Sequence, residues 1–433
     1  MSNPWNVQLT LVGTNHKHAP IEVRERLWCR AEILPNRLKS ILQDGNEIRE
    51  AVILSTCNRT EIYTVSSSKA ETISTYLKKA MSEWSGIEPA DIERYVYVLT
   101  GESAVHHLIS VMSGLDSLAV GEGQIQEQVG QAVRIASRAE TTGRFLTELF
   151  QYANRAADDI RALSGLETEQ VSVSSAVTFM LRELARKRQI QTILLVGAGK
   201  MISLAAKDLH VFPGLEVWVA NRTLERASDL AARIGGKPIE LSGIPVALET
   251  ADVVLTCTSA DDYVIGADEL RAAVGKRRDK ELIVIDVAVP RNVNPIANLI
   301  PGLKVYDIDD LAPFVKDSEK AYRPKIMEAE RLAREQTQNF YTHIRAYDAN
   351  DTLRDLRKVA EDIREKELAR ALRKLGDIPS RERTIVDLLT RRIVNKLLYE
   401  PTLKLKEHAT NGDGVNYEAL IRELFDIGRQ DEQ

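Results

Sequence analysis

Cysteine is scarce in this 433-residue chain, which has only Cys29, Cys57 and Cys257. Three is an odd number, and the three are widely spaced with no CxxC pair. That argues against a disulfide framework or a zinc site and for a reducing compartment. Long apolar runs are also missing. Ile193–Gly197 and Leu282–Pro290 are strand-sized and fall far short of the ~20 residues a membrane span needs. The opening Met1-Ser2-Asn3-Pro4-Trp5 lacks a basic-then-apolar targeting pattern, so the expected address is cytoplasmic, with no membrane. There is no repeat of solenoid period and no low-complexity block. Positive charge is not in excess either. Lys plus Arg number 58 against 63 Asp plus Glu, a formal net charge of −5, which leaves nucleic acid only a local patch to meet. What remains is ordinary soluble globular composition, 44% hydrophobic and 28% charged. At about 100–200 residues per domain, the length implies two to four domains.

Three regions separate by pattern. Up to about Leu166, strand-like Val7–Val12 (breaking at Gly13) and Ala51–Leu54 come before helical patterns at Ala104–Met112, Gln124–Arg138 and Phe145–Leu163, which predicts an α+β domain. From about Val171 to Asp310 strands and helices alternate. Thr192–Val196, Glu216–Ala220, Val253–Cys257 and Leu282–Val287 read as strands; Met201–Leu209 and Leu224–Ile234 read as helices. Near-continuous apolar strands between helices predict a parallel α/β sheet. In the third region Lys325–Leu375 runs 51 residues without Pro or Gly. As one helix it would be roughly 75 Å long and need a partner surface. Further helices are expected after Pro379 and Pro401, with a short pattern at Tyr417–Ile427. The boundaries expected are 1–165, 166–310 and 311–433.

Gly197-Ala198-Gly199-Lys200-Met201-Ile202 follows a strand and opens a helix. Its first two glycines match the dinucleotide fingerprint, one for the turn and one for close backbone approach to a pyrophosphate; the third position is Ile202. The next strand ends in Asn221-Arg222-Thr223, where an NAD enzyme would carry a carboxylate for the ribose 2′-hydroxyl. Arg222 suits a 2′-phosphate instead, so NADPH is the expected cofactor. Taken alone, Arg222 also fits a surface residue at a strand end, and Lys200 a solvated helix residue.

Ser55-Thr56-Cys57-Asn58-Arg59-Thr60-Glu61 ends an apolar strand in a polar segment. A free Cys is usually a small core hydrophobe, and Cys29 and Cys257 fit that reading. Cys57 differs, because the nearby Arg59 favours a thiolate, the nucleophilic form. A carboxylate cannot accept hydride directly, but an acyl group held as a thioester can. Cysteine and NADPH in one chain therefore suggest reduction of an activated acyl group to an aldehyde.

These residues resemble the glutamyl-tRNA reductase family. Gly13-Thr14-Asn15-His16-Lys17-His18-Ala19-Pro20 is similar to its opening motif and Ser55–Glu61 to its nucleophile motif. Ser113-Gly114-Leu115-Asp116-Ser117 with Gly121-Glu122-Gly123-Gln124-Ile125 resembles its substrate segment. Val171–Ser175 and Asp286–Arg291 resemble two further stretches. The resemblance spans nearly the whole chain. It implies a multidomain α/β protein: an α+β catalytic domain, an NADPH-binding Rossmann domain, and a long spinal helix leading into an all-helical dimerisation domain. It also implies a homodimer, tRNA(Glu) charged with glutamate as substrate, and glutamate-1-semialdehyde as a product feeding 5-aminolevulinate and tetrapyrrole synthesis. A complex with glutamate-1-semialdehyde aminomutase is a further implied partner.

By the same resemblance Cys57 is the nucleophile and His107, not His106, the functional histidine. Thr56, Asn58, Arg59, Ser117, Glu122, Gly123, Gln124 and Gln128 meet substrate. Gly197, Ala198, Gly199, Lys200, Met201, Ile202, Asn221, Arg222 and Thr223 hold the cofactor. No metal is expected. Arg59 suits a substrate carboxylate as well as the thiol, and both roles stay open. Gly123, where many members have Pro, and Ile160–Gly165 depart from the commoner pattern. The positive excess of residues 351–410, 15 Lys plus Arg against 11 Asp plus Glu, is compatible with tRNA backbone and equally with a solvated helix face. Two rivals remain: a shikimate- or quinate-type dehydrogenase, which would need neither Cys57 nor a spinal helix, and a non-catalytic scaffold.

Overall fold

The structure is a computed structural model that describes the chain apart from residues 1–6, 44–46, 119, 122, 167–172, 208, 210, 211, 213, 261, 278, 279, 377, 412–416 and 428–433; the side chains of 315–321, 345–351 and 406–419 are likewise not described. Two compact units result, one from Gln8 to Arg334 and one from Glu335 to Gln433 together with the first seven residues.

The first unit opens with β1 (Gln8–Asn15), α1 (Ile21–Leu27), α2 (Leu34–Gln43), β2 (Ile48–Ser55), β3 (Arg59–Ser66), α3 (Ala70–Ser85), α4 (Pro89–Tyr95), β4 (Tyr97–Thr100), α5 (Gly101–Met112), α6 (Gln124–Arg138) and α7 (Arg144–Ser164). The strands form an antiparallel sheet in the order β2-β3-β1-β4. All eight residues of β3 are buried, as are all but the first of β1. Helices pack against the sheet, α2 and α6 on β2, α3 and α5 on β1, and α7 on β2 and β3. Buried Glu50 of β2 accepts the backbone N–H groups of Phe145 and Leu146 at 3.0 and 2.7 Å, satisfying free donors in the first turn of α7.

Gly13, expected to end a strand, lies inside one. It pairs with Glu61 across the β1–β3 ladder, and a Cβ there would come within 2.7 Å of Glu61 Cγ. The glycine makes room for a buried carboxylate.

The same unit continues through α8 (Val173–Lys187), β5 (Thr192–Val196), α9 (Lys200–Lys207), β6 (Glu216–Ala220), α10 (Leu224–Ile234), β7 (Lys237–Ile239), α11 (Ile244–Leu248), β8 (Val253–Thr256), α12 (Ala267–Lys276), β9 (Leu282–Asp286) and β10 (Leu303–Asp307). These strands form a wholly parallel sheet, β10-β9-β8-β5-β6-β7. Alternate residues feed two apolar layers. Ile193, Leu195, Val253, Leu255, Ile283 and Ile285 join one; Leu194, Val196, Val254 and Val284 join the other. A sheet covered on both faces explains the near-continuous apolar strands. Ile21 of α1 and Leu118 belong to the first of these layers, so α1 and the segment after α5 pack on the core of the parallel sheet.

α13 (Ala312–Leu375) runs for 64 residues from the first unit into the second. It starts 13 residues before the expected stretch and continues through Pro324. In the second unit, α14 (Ser380–Asn411) likewise runs through Pro401, where a new helix was expected, and α15 (Tyr417–Leu424) follows. A proline removes one backbone donor and forces a local adjustment; here the flanking turns remain helical. Buried Arg364 of α13 bonds to Glu361 and to Asp387 of α14, each pairing within 2.7 Å. Arg422 of α15 reaches Asp355 at 3.2 Å.

Candidate functional site

Cys57 sits at the tip of the β2–β3 hairpin, half-buried, between the paired Ser55 and Thr60. Its backbone is held from several sides. Thr56 N–H donates to the Arg59 carbonyl at 2.8 Å, and the Thr56 hydroxyl accepts the N–H groups of Asn58 and Arg59, both at 3.2 Å. The Asn58 carbonyl accepts His16 N–H at 3.0 Å. The Cys57 carbonyl accepts Arg24 Nη1 at 2.9 Å. Two buried polar atoms beside this turn, Asn58 Oδ1 and His16 Nδ1, have no hydrogen-bond partner among the described residues. Burial first, then Arg59, pushes the His16 imidazole down to about 4.

Period-2 alternation along β3 puts Arg59, Glu61 and Tyr63 on one face, and all three are buried. Glu61 is the hub. Its carboxylate accepts Arg59 Nη1 at 2.7 Å, Tyr63 Oη at 2.7 Å and Tyr97 Oη at 2.6 Å, and meets His107 Nε2 at 2.8 Å. Burial alone would raise this carboxyl; His107 and Arg59 outweigh it and hold Glu61 well below the usual carboxylate range. Burial and the Glu61 charge together raise both tyrosine hydroxyls. Arg59 Nη1 also donates to Asp116 Oδ2 at 3.0 Å, and Nη2 donates to the Asp116 carbonyl. Asp116 in turn accepts Asn15 Nδ2 at 3.2 Å and Lys17 Nζ at 2.5 Å. Burial opposes its ionisation, but the Arg59 charge, followed by Lys17, lowers it.

The parallel sheet supplies the second half of the site. Gly197, at φ 110°, takes the turn after β5. A Cβ there would lie 2.5 Å from the Cys257 carbonyl, whereas one on Gly199 would meet nothing within 4 Å. The turn is thus packed below and open above, as a backbone approach to pyrophosphate needs, and α9 points its free N–H groups there. Arg222, at the end of β6, is exposed. Cys57, Ala198, Met201 and Cys257 all pack against the core layer under β5, β8 and β9. Burial, and then Cys57, pushes the Cys257 thiol up to about 12, so this second cysteine stays a thiol. Asp286 ends β9 and accepts N–H groups of Ala288, Asn292 and Val293 at 2.8–3.1 Å. Burial nevertheless pushes it up to about 7.

Known proteins resemble the chain along nearly its whole length. Residues 12–163 match the glutamyl-tRNA(Glu) reductase N-terminal domain, 181–314 the shikimate/quinate 5-dehydrogenase domain, and 328–427 the glutamyl-tRNA(Glu) reductase dimerisation domain. Glutamyl-tRNA reductase of Carboxydothermus hydrogenoformans is 37% identical over 97% of this chain and 93% of its own. That of Syntrophotalea carbinolica is 35% identical over 98% and 95%. The chain belongs to the glutamyl-tRNA reductase family. A solved glutamyl-tRNA reductase from Methanopyrus kandleri covers 96% of this chain and 98% of its own, at 28% identity and a TM-score of 0.47.

As a glutamyl-tRNA reductase family member the chain is an oxidoreductase, and its parallel sheet is a dehydrogenase-type NAD(P)-binding domain. The shikimate-type rival accounts for that domain alone. The structure brings Thr56, Cys57, Asn58 and Arg59 together on the hairpin and His107 to the same network. Ser117 follows Asp116 directly and is half-buried. Gly123 caps α6, with Gln124 half-buried and Gln128 exposed; Glu122 lies outside the described residues, as do Val171 and Ser172. His106 is not part of the Glu61 network. Lys200 pairs with Glu127 of α6 at 3.0 Å, and Ile202 is fully buried in the core. Asn221 Nδ2 bonds to the Thr223 carbonyl at 3.0 Å.

Glu61 and Asp116 lie within the nucleophile and substrate segments without a role of their own there, and nothing in the sequence marks Tyr97 or Arg24. For Glu61 a signal was available in the i, i+2, i+4 spacing of Arg59, Glu61 and Tyr63. The others join the site only through the fold.

The dimerisation domain shows an apolar stripe. Ile385, Leu389, Ile393 and Leu397 of α14 are 50–70% exposed and lie four residues apart, on one helix face. Among the described residues no helix is long and apolar enough to cross a membrane.

Proposed function

We propose that the protein reduces glutamyl-tRNA(Glu) to glutamate-1-semialdehyde through a thioester on Cys57, using NADPH. The observation that carries this reading is a half-exposed thiol on a rigid hairpin tip, packed on the same core layer as the Gly197 turn. The Cys57 thiolate attacks the ester carbonyl of the glutamyl group. The C–S bond forms, the C–O bond to the tRNA 3′ end breaks, and the leaving oxygen takes a proton. Holding nucleophile and acyl group together in a fixed geometry lowers the barrier by removing entropic cost. His107, kept in place by Glu61, would orient the acyl group or move that proton. Asn58 Oδ1, buried with a free lone pair, suits the substrate ammonium. Arg59 already holds Glu61 and Asp116, so binding a substrate carboxylate there means displacing Asp116.

Gly197, Ala198, Gly199, Lys200 and Met201 would hold the pyrophosphate region of NADPH, with Ile202 packed in the core beneath the turn and Asn221, Arg222 and Thr223 at its 2′-phosphate. Bound there, it supplies the hydride that takes the acyl group to the aldehyde level, after which the thiolate leaves. We assign 1–165 to acyl transfer, 166–310 to NADPH and 311–433 to dimerisation. The cell compartment is the cytoplasm, and the product enters tetrapyrrole synthesis through an aminomutase.

Glutamyl-tRNA and NADPH, given to the wild type and to Cys57→Ser, test this. Aldehyde from the wild type and none from the variant, with NADPH bound equally by both, is the expected result. An active Ser variant overturns the thioester.

A further inference from the structure

Helix α1 carries Glu22, Arg24 and Glu25 within one turn. All three are engaged by partners more than 260 positions away in sequence. The Arg24 side chain is 2% exposed. It donates Nη1 to the Cys57 carbonyl and Nη2 to Asp309, just beyond β10. Arg291, just beyond β9, donates Nε and Nη2 to the two Glu25 oxygens at 3.0 and 2.7 Å and Nη1 to Glu22 at 2.9 Å. A two-pronged guanidinium–carboxylate pairing fixes direction as well as distance. Arg291 is itself set rigidly. Its neighbours Asn292 and Val293 donate to Asp286, and Asn292 Oδ1 accepts from the Thr256 hydroxyl and Thr258 N–H at the end of β8. One short helix therefore links the nucleophile's own backbone to the carboxyl ends of β8, β9 and β10, where ligands bind in sheets of this kind.

We propose that α1 is the clasp that presents Cys57 to the hydride-donating side of the parallel sheet, with Arg24, Glu25, Arg291 and Asp309 as positioning residues. It rests on the thioester reading above. Acyl transfer to Cys57 needs only the hairpin and its surroundings. Reduction needs the loaded thiol against the carboxyl ends of the sheet, and that alignment is what the clasp fixes. The two half-reactions therefore separate when the clasp is released from the parallel sheet while its hold on the hairpin is kept. Arg24 differs from the rest because it also holds the Cys57 carbonyl, so its loss affects both steps.

The test uses full-length enzyme, tRNA carrying radiolabelled glutamate, and the variants Glu25→Gln and Asp309→Asn. Label retained on protein without NADPH reads acylation; single-turnover aldehyde with NADPH reads reduction; NADPH binding is measured alongside. We expect acylation and NADPH binding within about twofold of wild type and reduction slowed by about tenfold or more. Arg24→Met should lose both steps. Wild-type reduction in both carboxylate variants, or acylation lost in parallel with reduction, overturns the clasp. No retained label on wild-type enzyme overturns the thioester reading itself, and the clasp with it.

Discussion

Gly13 stands opposite Glu61, and the buried carboxylate explains why no larger residue fits. Glu61 joins Arg59, Tyr63, Tyr97 and His107 in a site of low dielectric. There a fully satisfied polar network is rigid, and an unpaired charge costs several kcal/mol. The Cβ of Gly13→Ala would push on Glu61 Cγ and on the β3 backbone. We expect a loss of about 1–3 kcal/mol, the usual cost of overpacking, read as a fall in the denaturation midpoint. Acylation of Cys57 should fall as well, because Arg59 and His107 follow Glu61. A variant as stable and as active as wild type would show that Glu61 moves freely. Little of this network is legible in the sequence. Arg59, Glu61 and Tyr63 could be read as one face of a strand, but Asp116 and His107 reach that face only because α5 packs on β1 and the segment after it returns to the hairpin.

Elements are legible in the sequence where apolar pattern and punctuation agree. β5, β6, α6 and α10 fall on the expected residues, with α10 stopped by Gly235 in the left-handed region at φ 70°. β3 escaped because both of its faces are buried and it carries Arg, Thr and Glu inside, so neither alternation nor an apolar run marks it. α13 and α14 ran on because one proline does not end a long helix. The turn after β6 gives the prediction that belongs to this scale. Arg222 is exposed and paired with no carboxylate among the described residues. Arg222→Asp should weaken NADPH binding by about tenfold or more while leaving NADH within a few-fold. If Arg222 meets the 2′-phosphate as proposed, the substitution removes that contact and places a carboxylate where it suits a ribose 2′-hydroxyl. Titrating both nucleotides checks this, and equal weakening of both would remove Arg222 from the 2′-phosphate site.

For the whole molecule, the fold class was legible because βα alternation and a helical third region leave few arrangements. What covers the last region was not, since the sequence shows a long helix in need of a partner without saying which face it uses. The structure shows an exposed apolar face on α14 and, among the described residues, not on that helix. Ile385, Leu389, Ile393 and Leu397 form an exposed row along α14, and this row lies within the stretch that matches a dimerisation domain. Isolated surface hydrophobes need no explanation, but a continuous row this long points to a partner. A second copy of the chain satisfies it by placing the same stripe on itself across a twofold axis. Leu389→Glu with Ile393→Glu puts two charges on each side of that seam, which cannot be buried without partners. Sedimentation equilibrium should then give the mass of one chain where the wild type gives two. Cys57 lies outside this helical unit, so its acylation by glutamyl-tRNA should persist in the monomer. A double variant that remains dimeric would place the interface on another face of the helical unit.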